Sequence, residues 1–337
     1  MSNIIRKVKK LAKKSSTLTY YHQKLVWNRL YKNMSICDVE FVKKRYKERT
    51  GKEYNLDAPQ TFDDKLTLLK LSNRDPLLTQ CSDKYLVRQY VRDCGLEHIL
   101  TKVYGIYEDA RDINFESIPS PSFFKCNHTS GINAIYDRNK KFNKKQFIRN
   151  FNFFLKQNYY VVSREWNYKD ISPKIICEEY LQSKNNEPLI DWRFLCFDGK
   201  VKYIFADIDT CAIDGTHNPA AKRNVYDQKM NLLDVKVTRE KFDPKLIEKP
   251  SKFDDMIAYA EILSKPFPHC RVDFYNIDGH IYFGEMTFYH AGCCSVFEPE
   301  HWAKIFGDCI DITGYRIALD AQRIISKEDL KNKMKVG

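Results

Sequence analysis

RVDFYNIDGHIYFGEMTF, residues 271–288, is the stretch on which the fold turns. Aromatic and β-branched residues alternate with polar ones on both sides of Asp278 and Gly279, the signature of two antiparallel strands around a tight turn. If Ile277, Asp278 and Gly279 make a three-residue connection with Gly279 left-handed, odd-numbered residues of both strands share one face. Arg271, Asp273, Glu285 and Thr287 then converge. Opposed or diagonal side chains in such a pair lie roughly 5–8 Å apart, a separation suited to a hard cation between two carboxylates. Inward-facing acids beside Val272 and Phe274 are costly without such a partner. The same residues also read as a surface hairpin carrying an Arg271–Glu285 salt bridge, and spacing alone leaves both readings open.

Upstream, DWRFLCF and KVKYIFADI flank Asp198 and Gly199, a second hairpin with an Asp-Gly turn, and NVYDQKMNLLD reads as a further hairpin-like stretch. KIICEEYL is a buried strand ending in two consecutive carboxylates, Glu178 and Glu179. These alternate across a sheet, so at least one needs a hydrogen-bond partner or solvent, and a purine amino group or a lysine suits. SFFKC and INAIYD are strands joined by the small-residue loop NHTSG. Lys125, placed among Phe123, Phe124 and Cys126, calls for an anionic partner, and the backbone N–H groups of residues 128–131 suit phosphate oxygens. An edge-strand lysine reaching solvent and a satisfied loop histidine at His128 are the alternatives. No GxxxxGK[ST] loop occurs.

Helical periodicity covers about 22–34, 38–49 closed by Gly51, 143–157 carrying Phe147, Phe151 and Phe154, and 254–264. Thr61 with Asp64 predicts a capping box. Ser82 is the expected N-cap of a helix whose stripe is Leu86, Val87, Tyr90, Val91 and Cys94, stopped at Gly95. The pattern is α+β, with antiparallel sheets in two lobes, and 337 residues exceed what one core usually serves.

The net charge of +12 is segregated: residues 1–37 hold nine Lys or Arg and no acid, and the remaining 300 carry +3. A nearly neutral body argues against a nucleic-acid partner. Within residues 4–14, Ile4, Ile5, Val8, Leu11 and Ala12 recur at helical spacing among Arg6, Lys7, Lys10, Lys13 and Lys14. This short basic amphipathic helix suits an anionic leaflet, and equally a frayed terminus or a helix packed on the body. The start lacks the apolar core of a secretory signal, and no apolar run spans a bilayer. Eleven Cys without a CxxC fit reduced thiols in a cytoplasm.

SDKYLVRQYV, FFKCNHTSG, REWNYKDI, PKIICEEYL, RFLCFDGK and RVDFYNIDGHIYFGEMTF stand in that order between TFDDKL at residue 61 and FEPEHW ending at 302. Together they resemble the ATP-grasp superfamily, and particularly its TupA-like branch, named for teichuronopeptide synthesis and associated with bacterial surface-polysaccharide loci. The resemblance implies two lobes enclosing an ATP cleft: a small lobe over 121–182 and a large one with the metal site over 183–315. A basic helical extension (1–54) and a portion leading into the grasp (55–120) precede them, and a tail (316–337) follows. It implies that Lys84 and Lys125 contact ATP phosphates under a loop formed by His128, Ser130 and Gly131. Glu178, Glu179, Tyr180 and Leu181 become the adenine hinge and Asp191 a ribose contact. Asp273, Glu285 and Thr287 hold Mg2+, the last where the commonest pattern has Asn. Arg271 lies beside the transferred phosphoryl group and Arg223 near the reacting carboxylate. The implied activity is an ATP-dependent carboxylate-amine ligase, forming an amide between a uronic-acid carboxyl and an amino acid or amine for a capsule or lipopolysaccharide. The competing reading is a glycosyltransferase holding its metal with Asp207 and Asp209 of ADID.

Deleting residues 1–14 is expected to weaken co-sedimentation with anionic vesicles at low salt while leaving ATP turnover in solution intact. Unchanged sedimentation refutes the membrane-seeking tail.

Overall fold

The computed structural model describes residues 16–185, 187–211, 218–326 and 328–330, so the helix expected over 4–14 lies outside the described residues. Strands β1 (Val103–Tyr107), β2 (Ser122–Cys126), β3 (Asn133–Tyr136) and β4 (Ile175–Glu179) form one antiparallel sheet in the order β1-β4-β2-β3. A second comprises β5 (Asp191–Phe197), β6 (Lys200–Ile208), β7 (Lys222–Tyr226), β9 (His269–Ile277) and β10 (His280–Thr287), ordered β10-β9-β5-β6-β7. Two short strands, β8 (Lys236–Val237) and β11 (Phe297–Glu298), pair separately. Lys125 is therefore on an interior strand, not an edge.

Each sheet has its own core. Phe147, Phe151 and Phe154 of helix α6 (Lys144–Phe154) pack with Phe124 and Cys177 under the first sheet. Under the second, Phe253 and Met256 of α8 (Phe253–Ser264) meet Phe194 and Phe274. The N-terminal helices divide between these cores. Trp27 of α1 (Ser16–Lys32) joins the small-lobe cluster, whereas Phe41, Val42 and Tyr46 of α2 (Asp38–Thr50) join the large-lobe one.

Local chemistry explains most boundaries. Gly51 ends α2 at φ 73°. Helix α3 (Phe62–Ser72) starts with the Thr61–Asp64 capping box. The expected Ser82 N-cap is corrected: Ser82 ends α4 (Pro76–Ser82), its hydroxyl donating to the Leu78 carbonyl 2.7 Å away. Asp83 turns the chain instead, its Oδ1 accepting the Tyr85 and Leu86 N–H groups ahead of α5 (Val87–Asp93). Spacing does not distinguish the two because serine and aspartate at adjacent positions are both good caps. Two short helices, α7 (Tyr160–Ser163) and α9 (Trp302–Asp308), are also present.

The hairpin at 271–288 is also corrected in its connection. Ile277 pairs with His280, leaving a two-residue turn in which Asp278 (φ 51°) and Gly279 (φ 81°) are both left-handed. Alone, that turn sets Tyr282 opposite Tyr275, odd against even, and sends Glu285 to the face away from Asp273. A β-bulge at Gly284 restores the register: Phe283 pairs with Phe274, but Glu285 pairs with Asp273. A Cβ on Gly284 would stand 3.0 Å from the Asp273 carbonyl oxygen.

Gly284→Val is therefore expected to destabilise the protein by about 1–3 kcal/mol through overpacking against that carbonyl. Chemical denaturation checks this, and wild-type stability in the variant refutes the tight register.

Candidate functional site

A cleft of about 620 Å³ opens between the two sheets. On the small-lobe side, Phe123 and Lys125 of β2 face it while Phe124 faces the core, the alternation the sequence predicts. Phe123 pairs with Glu178, so Lys125 is diagonal to that carboxylate, and its Nζ lies 2.5 Å from Glu178 Oε1. Glu178 also accepts from Thr101 Oγ1 at 3.0 Å, and Glu179 accepts from the Lys102 N–H at 2.8 Å. Both consecutive carboxylates thus have partners. Glu179, Tyr180 and Leu181 line the cleft as the chain leaves β4.

The loop after β2 is pinned from below. Asn127 donates to Asp83 Oδ2 and the Ser172 carbonyl and accepts from the Lys174 N–H. Lys84 Nζ donates to the Thr129 carbonyl at 2.8 Å, and burial together with Lys125 lowers the Lys84 pKa against the pull of Glu285. Lys84, Ser130 and Gly131 line the cleft, but His128 does not. The structure moves His128 from the expected ATP contacts to a buried anchor: its Nε2 is 3.1 Å from the Phe154 carbonyl and its Nδ1 3.2 Å from Asn127 Oδ1.

On the large-lobe side the bulge brings the carboxylates together. Arg271 lies between them, Nε 2.6 Å from Asp273 Oδ1 and Nη2 2.7 Å from Asp273 Oδ2 and 3.0 Å from Glu285 Oε1. The Arg271–Glu285 salt bridge exists, but this is no surface hairpin: the Arg271 and Asp273 side chains are 6% and 7% exposed, and Glu285, at 40%, opens on the cleft. Burial pushes the Asp273 pKa up to about 6 against Arg271 and Arg193. Burial acts likewise on Glu285, but Lys84, Arg271 and Arg193 outweigh it and hold this carboxyl low. Thr287 does not line the cleft; its hydroxyl donates to Glu285 Oε1 at 3.2 Å. Among the described residues no three His, Cys, Asp or Glu side chains form a ready-made metal cluster. Two facing carboxylates fit Mg2+, which takes one or two of them with water and phosphate oxygens.

Arg223 is corrected as well. It is 2% exposed, outside the cleft lining, and clamps Asp207 through Nε and Nη2, both at 2.6 Å. Asp207 also meets Arg239 Nη1 at 2.6 Å and Arg193 Nε at 3.0 Å. Burial alone would raise its pKa, but Arg193, Arg223 and Arg239 hold it well below the usual carboxylate range. Enclosed by three guanidinium groups, Asp207 has no free face for a metal, which removes the glycosyltransferase reading of Asp207 and Asp209. Asp191 lines the cleft and accepts from Thr210 Oγ1 at 2.5 Å and Tyr275 OH at 2.9 Å.

Sequence reasoning missed Arg193, which faces the cleft and touches Asp191, Asp207 and Asp273. Its signal was a charge alternating with Asp191 in DWRFLCF. Asn127 carries no local signal, because Asp83, Ser172 and Lys174 are each more than 40 residues from it in the chain.

The family model described as TupA-like ATPgrasp matches residues 64–311. Among solved structures, the chain is similar to a D-alanine–D-alanine ligase of Bacillus anthracis complexed with ATP (17% identity, 64% of this chain and 58% of that one, TM-score 0.36). It is also similar to an L-amino acid ligase of Bacillus licheniformis (13%, 76% and 50%, TM-score 0.40). The chain thus spans 50–58% of the length of these two. No curated protein matches.

His128 yields a pH test. Burial and the Lys84 charge, outweighing the Phe154 carbonyl, lower its pKa from 6.5 to about 4. The unfolded chain therefore takes up the proton first as pH falls, and stability is lost between about 6.5 and 4, by about 3 kcal/mol from this group. His128→Gln is expected to flatten that acid limb in urea unfolding, and an unchanged slope refutes the neutral buried ring.

Proposed function

This chain belongs to the TupA-like ATP-grasp family, and on that premise we propose that it is a magnesium-dependent ligase joining a carboxylate to an amine at the expense of ATP. The observation that carries the proposal is the disposition of charge across one cleft: Lys84 and Lys125 on one side, Asp273 and Glu285 on the other, with Arg271 bridging the two carboxylates from behind the cleft lining. Lysines at that position suit triphosphate oxygens, and Arg271 suits the phosphoryl group in flight. Because Glu178 and Glu179 already have partners, we assign the adenine contacts to the backbone of residues 179–181. Asp191, at the cleft wall, is the proposed ribose contact.

When bound by Asp273 and Glu285, Mg2+ neutralises phosphate charge. A carboxylate oxygen of the acceptor attacks the γ-phosphorus, the bond to the β-phosphate oxygen breaks, and ADP leaves. The amine nitrogen then attacks the acyl carbon, the C–O bond to phosphate breaks, and the amide forms with loss of a proton. The cleft walls exclude water from the acyl phosphate. Arg223 acts behind the wall, fixing Asp207 and through it Arg193, rather than on the acceptor. For the acceptor we propose a uronic-acid carboxyl of a surface-polysaccharide precursor, and for the amine an amino acid, in the cytoplasm or on the inner face of the membrane. The resemblance to the teichuronopeptide branch supports this choice.

Mg-ATP is expected to raise the melting temperature, whereas a UDP-sugar with manganese is not; the reverse pattern refutes the ligase. Asp273→Asn and Glu285→Gln should each lower ADP release on a panel of uronic acids and amino acids by about a hundredfold or more while the protein stays folded. Full activity in both variants removes the site assignment.

A further inference from the structure

Helices α1 and α2 meet at a corner that encloses a second cavity, of about 340 Å³, away from the nucleotide cleft. Arg29, Lys44, Arg45 and Arg49 line it, and Glu48 is the single acid among the described lining residues. Neither Arg29, Lys44 nor Arg49 makes an ion pair among the described residues. Arg45 is tethered by one donation from Nη1 to the Val162 carbonyl, and its buried Nε has no partner. Arg45 and Arg49 sit four residues apart on one helix face, an arrangement that repels unless an anion joins it. The cavity is large enough for a phosphate ester.

The outer face of α1 continues from this cavity. At 100° per residue, Leu18, Leu25 and Arg29 fall within roughly 40° of one another, with Tyr21 beside them. The three apolar members are 52%, 68% and 57% exposed respectively (Leu18, Leu25, Tyr21). Trp27, on the opposite face, is buried. An exposed apolar stripe leading into a cavity lined by four cations and one acid, in a segment with no acid before Asp38, matches an interface that is apolar inside and anionic at its surface. We propose that the α1–α2 corner docks on an anionic phospholipid leaflet, with Leu18, Tyr21 and Leu25 entering the acyl boundary and a lipid phosphate seated among Arg29, Lys44, Arg45 and Arg49. The surface is made by residues other than 1–14 and does not depend on the nucleotide reading.

The test is co-sedimentation of the full chain with phosphatidylcholine vesicles, plain or with about 30% phosphatidylserine. The full chain is expected to bind only the anionic vesicles. The combined variant Arg29→Gln, Lys44→Gln, Arg49→Gln should weaken that binding by about tenfold or more, and the charge-matched Lys202→Gln, Lys229→Gln, Lys245→Gln by less than about twofold. Leu18→Ser with Leu25→Ser should remove the part of the binding that survives high salt. Equal losses in the two charge variants, wild-type binding in the first, or complete loss on deleting residues 1–14 alone would each overturn the proposal. So would stabilisation by inorganic pyrophosphate through the same arginines with no vesicle binding, which would assign the cavity to a soluble phosphate. Mg-ATP melting shifts on the same samples report on the ligase reading independently.

Discussion

One register step carries the site. The Asp278–Gly279 turn favours a two-residue hairpin, and a two-residue hairpin without interruption puts Glu285 on the face opposite Asp273. The bulge at Gly284 adds the missing residue, and a glycine suits that position because a Cβ there would crowd the Asp273 carbonyl at 3.0 Å. Arg271 can bridge both carboxylates only after that shift. A strand without the bulge would turn Glu285 toward the core and Met286 toward the cleft, and lose the site.

Around this hairpin the large lobe encloses an unusual concentration of charge. Arg193, Asp207 and Arg223 stand on the three adjacent strands β5, β6 and β7, and register places Asp207 directly between Asp191 and Arg223. Removing such charges from water is expensive, and breaking a buried pair costs about 3–5 kcal/mol. The network is held because each member meets several partners, and because apolar residues such as Phe205, 4.3 Å from the Arg223 guanidinium, close over it. Its value lies in position: Arg193, held also by Asp191 and Asp207, reaches within 3.7 Å of Asp273.

What was legible in the sequence was what neighbouring residues decide. Alternation in SFFKC placed Lys125 toward the cleft, Thr61 and Asp64 wrote their own cap, and Asp-Gly pairs marked both hairpins. What was hidden depends on distant partners. Whether Asp207 binds a metal or three arginines is undecidable from ADID, because Arg193, Arg223 and Arg239 arrive from three other segments. His128 likewise follows a lysine strand and looks like part of the phosphate loop, but the Phe154 carbonyl, 26 residues away, turns its ring inward. The bulge escaped notice because a three-residue turn and a two-residue turn with a bulge produce the same convergence of Asp273 and Glu285.

The charges at the cleft are balanced internally, and that balance bears on how a polyanion would enter. Lys125 is paired with Glu178, and Arg271 with Asp273 and Glu285, so these groups already have partners of opposite charge, whereas Lys84 rests on the Thr129 carbonyl. A metal ion arriving with a triphosphate brings both signs at once. On the proposed function, Asp273 and Glu285 would exchange Arg271 for the cation and Lys125 would exchange Glu178 for phosphate oxygens, so that these charges would stay paired. A free triphosphate or a free metal offers only half of that exchange. On that reading such an exchange would favour the metal–nucleotide complex over either component, through the ion pairs these residues already make.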